Sequence, residues 1–359
     1  MNITIVGGGN IGTQFAVHCA EKQHRVIMYS SKPKQFCKHL TVVDTAGSVI
    51  HKGDIFEATN DTERAFSNAD IIFVTVPAFR MKDIANQIYP YVKKGVKIGL
   101  IPGTGAGEYS FKKCIDKGAV IFGLQRVPSV ARLIEYGRSV CAIGYRKELH
   151  IAALPFREVE EIREIISDIF DIPCIALPNY LNLTLTPGNP ILHTTRLRTI
   201  FRDYQKGVTY DSVPLFYEEW DNETSELLFR CDDEVQAICK RLKQFDLSYV
   251  KSLKIHYESD TPDAFTRKII SIDGFKGLKT PMIEVSGGFI PDLYSRYFIA
   301  DFSYGLAILV QVGNLLNVSV PNMEEVLKWY HKIALNKNQF LFSDFAIDNS
   351  MQLSEFYLL

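Results

Sequence analysis

The chain opens Asn2-Ile3-Thr4-Ile5-Val6-Gly7-Gly8-Gly9-Asn10-Ile11-Gly12, and this stretch decides how its first half folds. An apolar run of strand type stops at Gly7. A helical stretch over 13–21 follows, and a second apolar run begins at Arg25. Gly7, Gly9 and Gly12 therefore form a GxGxxG between a strand and a helix, the context in which that pattern cradles a dinucleotide. Gly7 permits the tight turn, Gly9 lets the backbone approach a pyrophosphate, and Gly12 lets helix and strand pack closely. Asn10 and Ile11 complete the turn, whose unpaired N–H groups and helix dipole favour phosphate.

The second run ends Met28-Tyr29-Ser30-Ser31-Lys32, with no acid to bond a ribose 2′-hydroxyl. Two hydroxyls and a cation suit a 2′-phosphate, so NADP(H) is favoured. NAD(H) stays open, because Ser30 and Ser31 also read as a solvated turn. Further apolar runs at 71–76, 97–101, 120–124 and 140–144 alternate with helical patterns. That alternation predicts an α/β fold, a doubly wound Rossmann sheet with helices on its faces. Ligands of such sheets sit beyond the carboxyl ends of the strands, which puts Pro77 and Gly103 on the cofactor edge. As ordinary strand-end turns they fit equally well.

After Leu177-Pro178-Asn179 the strand-like runs give way to helical spacing. Leu227, Leu228, Val235, Ile238 and Leu242 follow one stripe, with Asn222 and Thr224 as candidate N-caps. We expect two domains, 1–178 for the dinucleotide and an all-helical 179–359 for substrate and catalysis. A length of 359 residues agrees with more than one core.

A net charge of −1 gives nucleic acid or an anionic membrane no handle. The apolar stretch 304–320 is broken by Gln311, Gly313 and Asn314, which reads as a buried helix and not a bilayer span. No signal peptide is read ahead of the first strand. The seven cysteines show no metal-ligand spacing. They predict reduced thiols, a cytoplasmic protein and no metal site. A homodimer is compatible with this reading.

The second informative region is Thr186-Pro187-Gly188-Asn189-Pro190-Ile191-Leu192-His193. Pro190 suits the first turn of a helix running toward Tyr204. On it His193 shares a face with Leu197, Ile200 and Phe201, so the imidazole points into protein. A hydrogen-bonded core histidine has the same signature. Farther on, in Arg296-Tyr297-Phe298-Ile299-Ala300-Asp301, the carboxylate shares a face with Gly305, Ile308 and Val312, and an inward carboxylate needs a partner. Asp301 also fits a helix N-cap. An inward His and an inward Asp suggest a dyad in which the carboxylate orients the imidazole.

With these motifs the sequence resembles the opine (octopine/nopaline) dehydrogenases. The order runs from the glycine loop to Gln125-Arg126-Val127-Pro128, then Asn189-Pro190-x-x-His193, then Arg296-x4-Asp301 with Tyr304-Gly305 behind it. Phe302-Ser303 departs from the more usual Val-Pro, a change expected at the pocket floor. The resemblance implies an oxidoreductase acting on CH–NH bonds. An α-keto acid and an amino acid or amine would condense to an imine that NAD(P)H reduces. His193 would be the general acid–base, Asp301 its orienting partner, and Arg296 a fork for a substrate carboxylate, with Gln125 and Asn189 near the substrate. A ketopantoate-reductase-like or β-hydroxyacid dehydrogenase is the enzymatic alternative, weakened by the absence of Lys between Pro178 and Asp203. A non-catalytic NADP-binding regulator is the alternative of another class.

Overall fold

The computed structural model describes residues 1–334 and 338–359. They form two compact units, Met1–Thr184 with Phe356–Leu359, and Leu185–Glu355.

The first unit is built on an eight-stranded sheet. Its order is Cys174–Ala176, Leu149–Leu154, Val120–Leu124, Lys97–Leu100, Ile71–Val74, Asn2–Val6, Arg25–Tyr29 and Glu57–Thr59. Neighbours run parallel except Leu149–Leu154 against Val120–Leu124. The central strands are buried on both faces: all four residues of Ile71–Val74 are buried, as a parallel sheet covered by helices requires.

The run at 140–144 is not part of this sheet. It lies in Ser139–Ile143, within a second sheet ordered Val49–Asp54, His39–Val43, Ser139–Ile143, Val130–Glu135. Its burial alternates, with Val140 and Ala142 inside and their neighbours half-buried, the period of a sheet covered on one face. The helix Asn10–Glu21 covers that face. A Cβ on Gly53 would come within 2.6 Å of the Ala20 Cβ, so the glycine sets how closely helix and strand approach.

The chain leaves the first unit after Thr184, six residues beyond the expected boundary. The reason is burial: the short helix Leu181–Thr184 is buried throughout and stays with the sheet unit. Phe356 and Tyr357 also belong there, Phe356 stacked on Tyr109 at 4.2 Å.

The second unit is mainly helical. Gly188–Ile200, Asn222–Arg241, Pro262–Ser271 and Pro321–Ile333 surround a kinked run made of Arg296–Asp301, the π-turn Phe302–Leu306 and Ala307–Leu315. One hairpin departs from the all-helical expectation, Met282–Val285 paired with Gly288–Pro291. Its turn rests on Gly287 and Gly288, both at positive φ. The long helix is capped by Asp221 and not by Asn222 or Thr224: the Asp221 carboxylate accepts from the Thr224 N–H at 2.7 Å. The run Arg296–Leu315 is long and apolar enough to cross a membrane, yet 61% of its apolar window is buried, as in a core helix. Phe302 anchors it, stacked at 4.4 Å on Tyr330, while the Ser303 hydroxyl lies 3.2 Å from that of Tyr330. The Phe302-Ser303 departure thus falls in the helix core and not on a pocket floor.

Candidate active site

The glycine loop has the shape a dinucleotide needs. Gly7 sits at φ +104°, and its turn is held by the Thr75 hydroxyl, which donates to the Val6 carbonyl at 2.9 Å. A Cβ on Gly12 would lie 1.7 Å from the Gly7 carbonyl oxygen, so no side chain fits there. A Cβ on Gly9 would meet nothing within 4 Å, which leaves the backbone open to a ligand. Asn10 and Ile11 begin the helix, and the Asn10 side chain is already engaged, accepting from the Leu133 N–H at 2.8 Å. What it offers a phosphate is its backbone N–H.

At the end of the second strand, Ser30 is buried. Its hydroxyl lies 2.9 Å from the Tyr136 hydroxyl and accepts from the Lys32 N–H at 3.1 Å. Ser31 and Lys32 are exposed beside it. Tyr136 and Phe36 pack together, and a Cβ on Gly8 would come within 2.3 Å of the Phe36 ring. Those two aromatics, and Thr75, were not foreseen from sequence. They sit on separate segments, and no spacing rule links them to the glycines.

Pro77 is exposed at a strand end. Gly103 is not open to a ligand: a Cβ there would lie 2.8 Å from the Gly123 Cα and 2.8 Å from a Leu183 methyl. Its lack of a side chain serves packing against Gly123 and Leu183. Gln125 is half-buried and donates from Nε2 to the Asn182 carbonyl at 3.3 Å.

Within the second unit, His193 and Asp301 meet. The imidazole Nδ1 lies 2.7 Å from Asp301 Oδ2, the two side chains 5% and 16% exposed. Asp301 is not an N-cap; its helix begins at Arg296, behind Ser295. Two features bring the pair together. A Cβ on Gly305 would stand 2.9 Å from the Pro190 ring, so the kinked run can approach the helix Gly188–Ile200 only because position 305 is bare. The backbone departs from helical values at Tyr304 inside the π-turn, a feature frequent at functional sites.

The other ring nitrogen, Nε2, lies 2.7 Å from the Tyr217 hydroxyl. Tyr217 is buried, and sequence reading missed it because it sits in an irregular segment. One turn past His193, the buried Arg196 holds that segment, donating to the Phe216 carbonyl at 3.0 Å, to Asp221 at 2.9 Å and to the Glu219 carbonyl. Arg296 is exposed, 5.4 Å from the Tyr297 ring centre, with no carboxylate partner among the described residues. Asn189 is exposed at the start of the His193 helix.

Among the described residues one trio of metal-ligand type, His18, Glu21 and His51, falls within 4.8 Å. Each imidazole has a protein partner: His18 Nε2 the Tyr145 hydroxyl at 2.8 Å, His51 Nδ1 the Glu21 carboxylate at 2.7 Å. Burial pushes His18 down to about 3, so it stays neutral as a packed histidine.

Residues 176–334 match the family model for the alpha-helical domain of NAD/NADP octopine/nopaline dehydrogenases. Over that stretch the chain is similar to that family. Residues 2–107 of this opine dehydrogenase-like chain match the N-terminal model of NAD-dependent glycerol-3-phosphate dehydrogenase, a second sign of NAD(P) binding. Tauropine dehydrogenase of Arabella iricolor is 25% identical, the alignment covering 92% of this chain and 91% of the relative. A solved octopine dehydrogenase with NADH and L-arginine shares the fold at a TM-score of 0.79 and 22% identity, over 92% of this chain and 89% of that one. Yersinopine dehydrogenase with NADP+ shares it at 0.65 and 12%, over 92% and 90%. The octopine enzyme has also been solved with pyruvate and with agmatine. The chain is an opine dehydrogenase-like NAD(P)-dependent oxidoreductase.

Proposed function

We propose that this enzyme condenses an α-keto acid with the amino group of an amino acid or amine and reduces the resulting imine to a secondary amine, with NADP(H) preferred. The observation that carries the reading is the His193–Asp301 pair, a buried imidazole held by a carboxylate in the unit that matches the opine dehydrogenase helical model. In the forward direction the reduced nicotinamide supplies the hydride. The chain supplies the rest. Asp301 fixes the tautomer of His193, which takes a proton as the ammonium becomes an amine and returns it as the carbinolamine loses water. Arg296 has a free guanidinium of the right shape for a substrate carboxylate. Relatives solved with pyruvate, arginine and agmatine support the two substrate classes. Exposed Ser31 and Lys32, with no acid at the strand end, support the 2′-phosphate.

The test is NADPH oxidation with pyruvate, 2-oxoglutarate or glyoxylate, each against a panel of amino acids and amines. Oxidation that needs both partners, with a secondary amine as product, is expected. Oxidation with keto acid alone, giving a hydroxy acid, overturns the reading.

A further inference from the structure

Both ring nitrogens of His193 have partners, and the two partners differ in kind. The Asp301 carboxylate can only accept, so Nδ1 carries the proton of the neutral ring and donates to Asp301. Nε2 is then a bare lone pair, and the Tyr217 hydroxyl donates to it. The rest of the ring is covered: Tyr297 lies 4.6 Å away and Phe216 5.6 Å. A substrate therefore reaches neither nitrogen directly unless the phenol leaves. The phenol is held in place. Its ring stacks on Phe275 at 4.0 Å and 15°, lies parallel to Trp220, and belongs to the segment Arg196 pins.

We propose that Tyr217 is the catalytic residue that exchanges protons with the substrate, with His193 recharging it and Asp301 balancing the charge. This rests on the condensation proposed above and deepens it. Burial, with smaller contributions from Tyr297, Tyr257 and Asp301, holds its hydroxyl well above the ordinary range, and Arg296 offsets this slightly. Tyr217 therefore does not rest as a phenolate, and its two transfers must be coupled. Arg296 lies over the Tyr297 ring, which packs against His193, so a carboxylate on that guanidinium would bring the reacting carbon toward the pair.

The proton count closes. As the substrate ammonium gives a proton to the Tyr217 oxygen, the phenolic proton passes to Nε2, leaving a neutral amine and an imidazolium paired with Asp301. The amine lone pair attacks the keto carbon, the C–N bond forms, and the carbonyl oxygen takes a proton from that nitrogen. The carbinolamine hydroxyl then receives the phenolic proton while Nε2–H replaces it. The C–O bond breaks with its electron pair leaving in water, and the nitrogen lone pair closes the C=N bond.

Tyr217→Phe removes the hydroxyl and keeps the stacking ring. The expected result is a fall in kcat of about a hundredfold or more, with the KM for keto acid and the affinity for NADPH within about threefold and the thermal midpoint unchanged. In 15N spectra of the His193 ring the Nε2 resonance should move and the Nδ1 resonance stay. A Tyr217→Phe enzyme that turns over at or above the wild-type rate, or whose Nε2 resonance does not move, overturns the relay. Failure of the condensation looks different. A wild-type enzyme that reduces the keto acid without an amine discards that chemistry, and the Tyr217→Phe comparison on that reaction then decides the relay.

Discussion

At His193 the two neighbours set what substitution can reveal. General acid–base loss typically costs about a hundred- to ten-thousand-fold in rate. His193→Ala should lower turnover on that order while NADPH binding, measured by fluorescence titration, stays near normal because the glycine loop is untouched. Asp301→Asn keeps the shape but removes the charge that fixes Nδ1–H, so it should also lose rate. If the pair acts as one unit, the double variant is little worse than the worse single one; multiplicative losses would mean separate roles. Lys32 is the second informative residue. With Ser30 turned inward, Lys32 and Ser31 remain to meet a 2′-phosphate. NADPH should bind more tightly than NADH, and Lys32→Ala should weaken NADPH alone. Equal affinities, with no loss in the variant, would exclude the preference.

At the level of elements the site depends on one close approach. The run Arg296–Asp301 brings its carboxylate to the helix Gly188–Ile200 because Gly305 faces Pro190 with no side chain between them. Gly305→Ala puts a methyl 2.9 Å from that ring, and Pro190 is too stiff to yield easily. Overpacking of this kind typically costs about 1–3 kcal/mol. The variant should melt several degrees lower and turn over about tenfold more slowly, as Asp301 is moved off Nδ1. Gly274→Ala is the matched control, since a Cβ there meets nothing within 4 Å. Equal effects of the two substitutions on melting and rate would show that the approach at Gly305 is not what sets the pair.

For the whole molecule the instructive group is Glu108. Its carboxylate is fully buried and accepts from Thr184 at 2.6 Å and from Tyr357 at 2.6 Å, while Oε2 has no partner. Those two donors stand where the chain leaves the first unit and shortly after it returns. Burial pushes Glu108 up to about 7, above its ordinary 4.5. A raised carboxyl favours the fold when protonated. Its contribution is complete below about pH 4.5 and is lost as pH rises through about 7. The first unit should lose about 3 kcal/mol between those limits, at 1.36 kcal/mol per pH unit. Glu108→Gln, which keeps an acceptor without the charge, should flatten that slope in urea denaturation at pH 5 and pH 8. An unchanged slope would place the titration elsewhere.

Sequence by itself determined what depends on local backbone chemistry. The strand–glycine–helix opening could be read because Gly7 and Gly12 are demanded by a positive φ and by a carbonyl within 1.7 Å, requirements that leave a mark at fixed spacing. The inward face of His193 was legible from helical period, whereas Asp301 reaches it beside a π-turn that breaks the period on which its face was read. Tertiary structure decided what depends on segments meeting from far apart. Ser139–Ile143 reads as one more apolar strand, and its removal to a second sheet depends on which face finds the helix Asn10–Glu21. Gly103 resembles a strand-end turn until Leu183 and Gly123 close on it. Tyr217 lies 24 residues from His193 in a segment without periodicity, fixed there by the guanidinium of Arg196 and by stacking on Phe275 and Trp220. Regular elements carry their geometry in residue spacing; an irregular segment takes its geometry from whatever buried partner holds it.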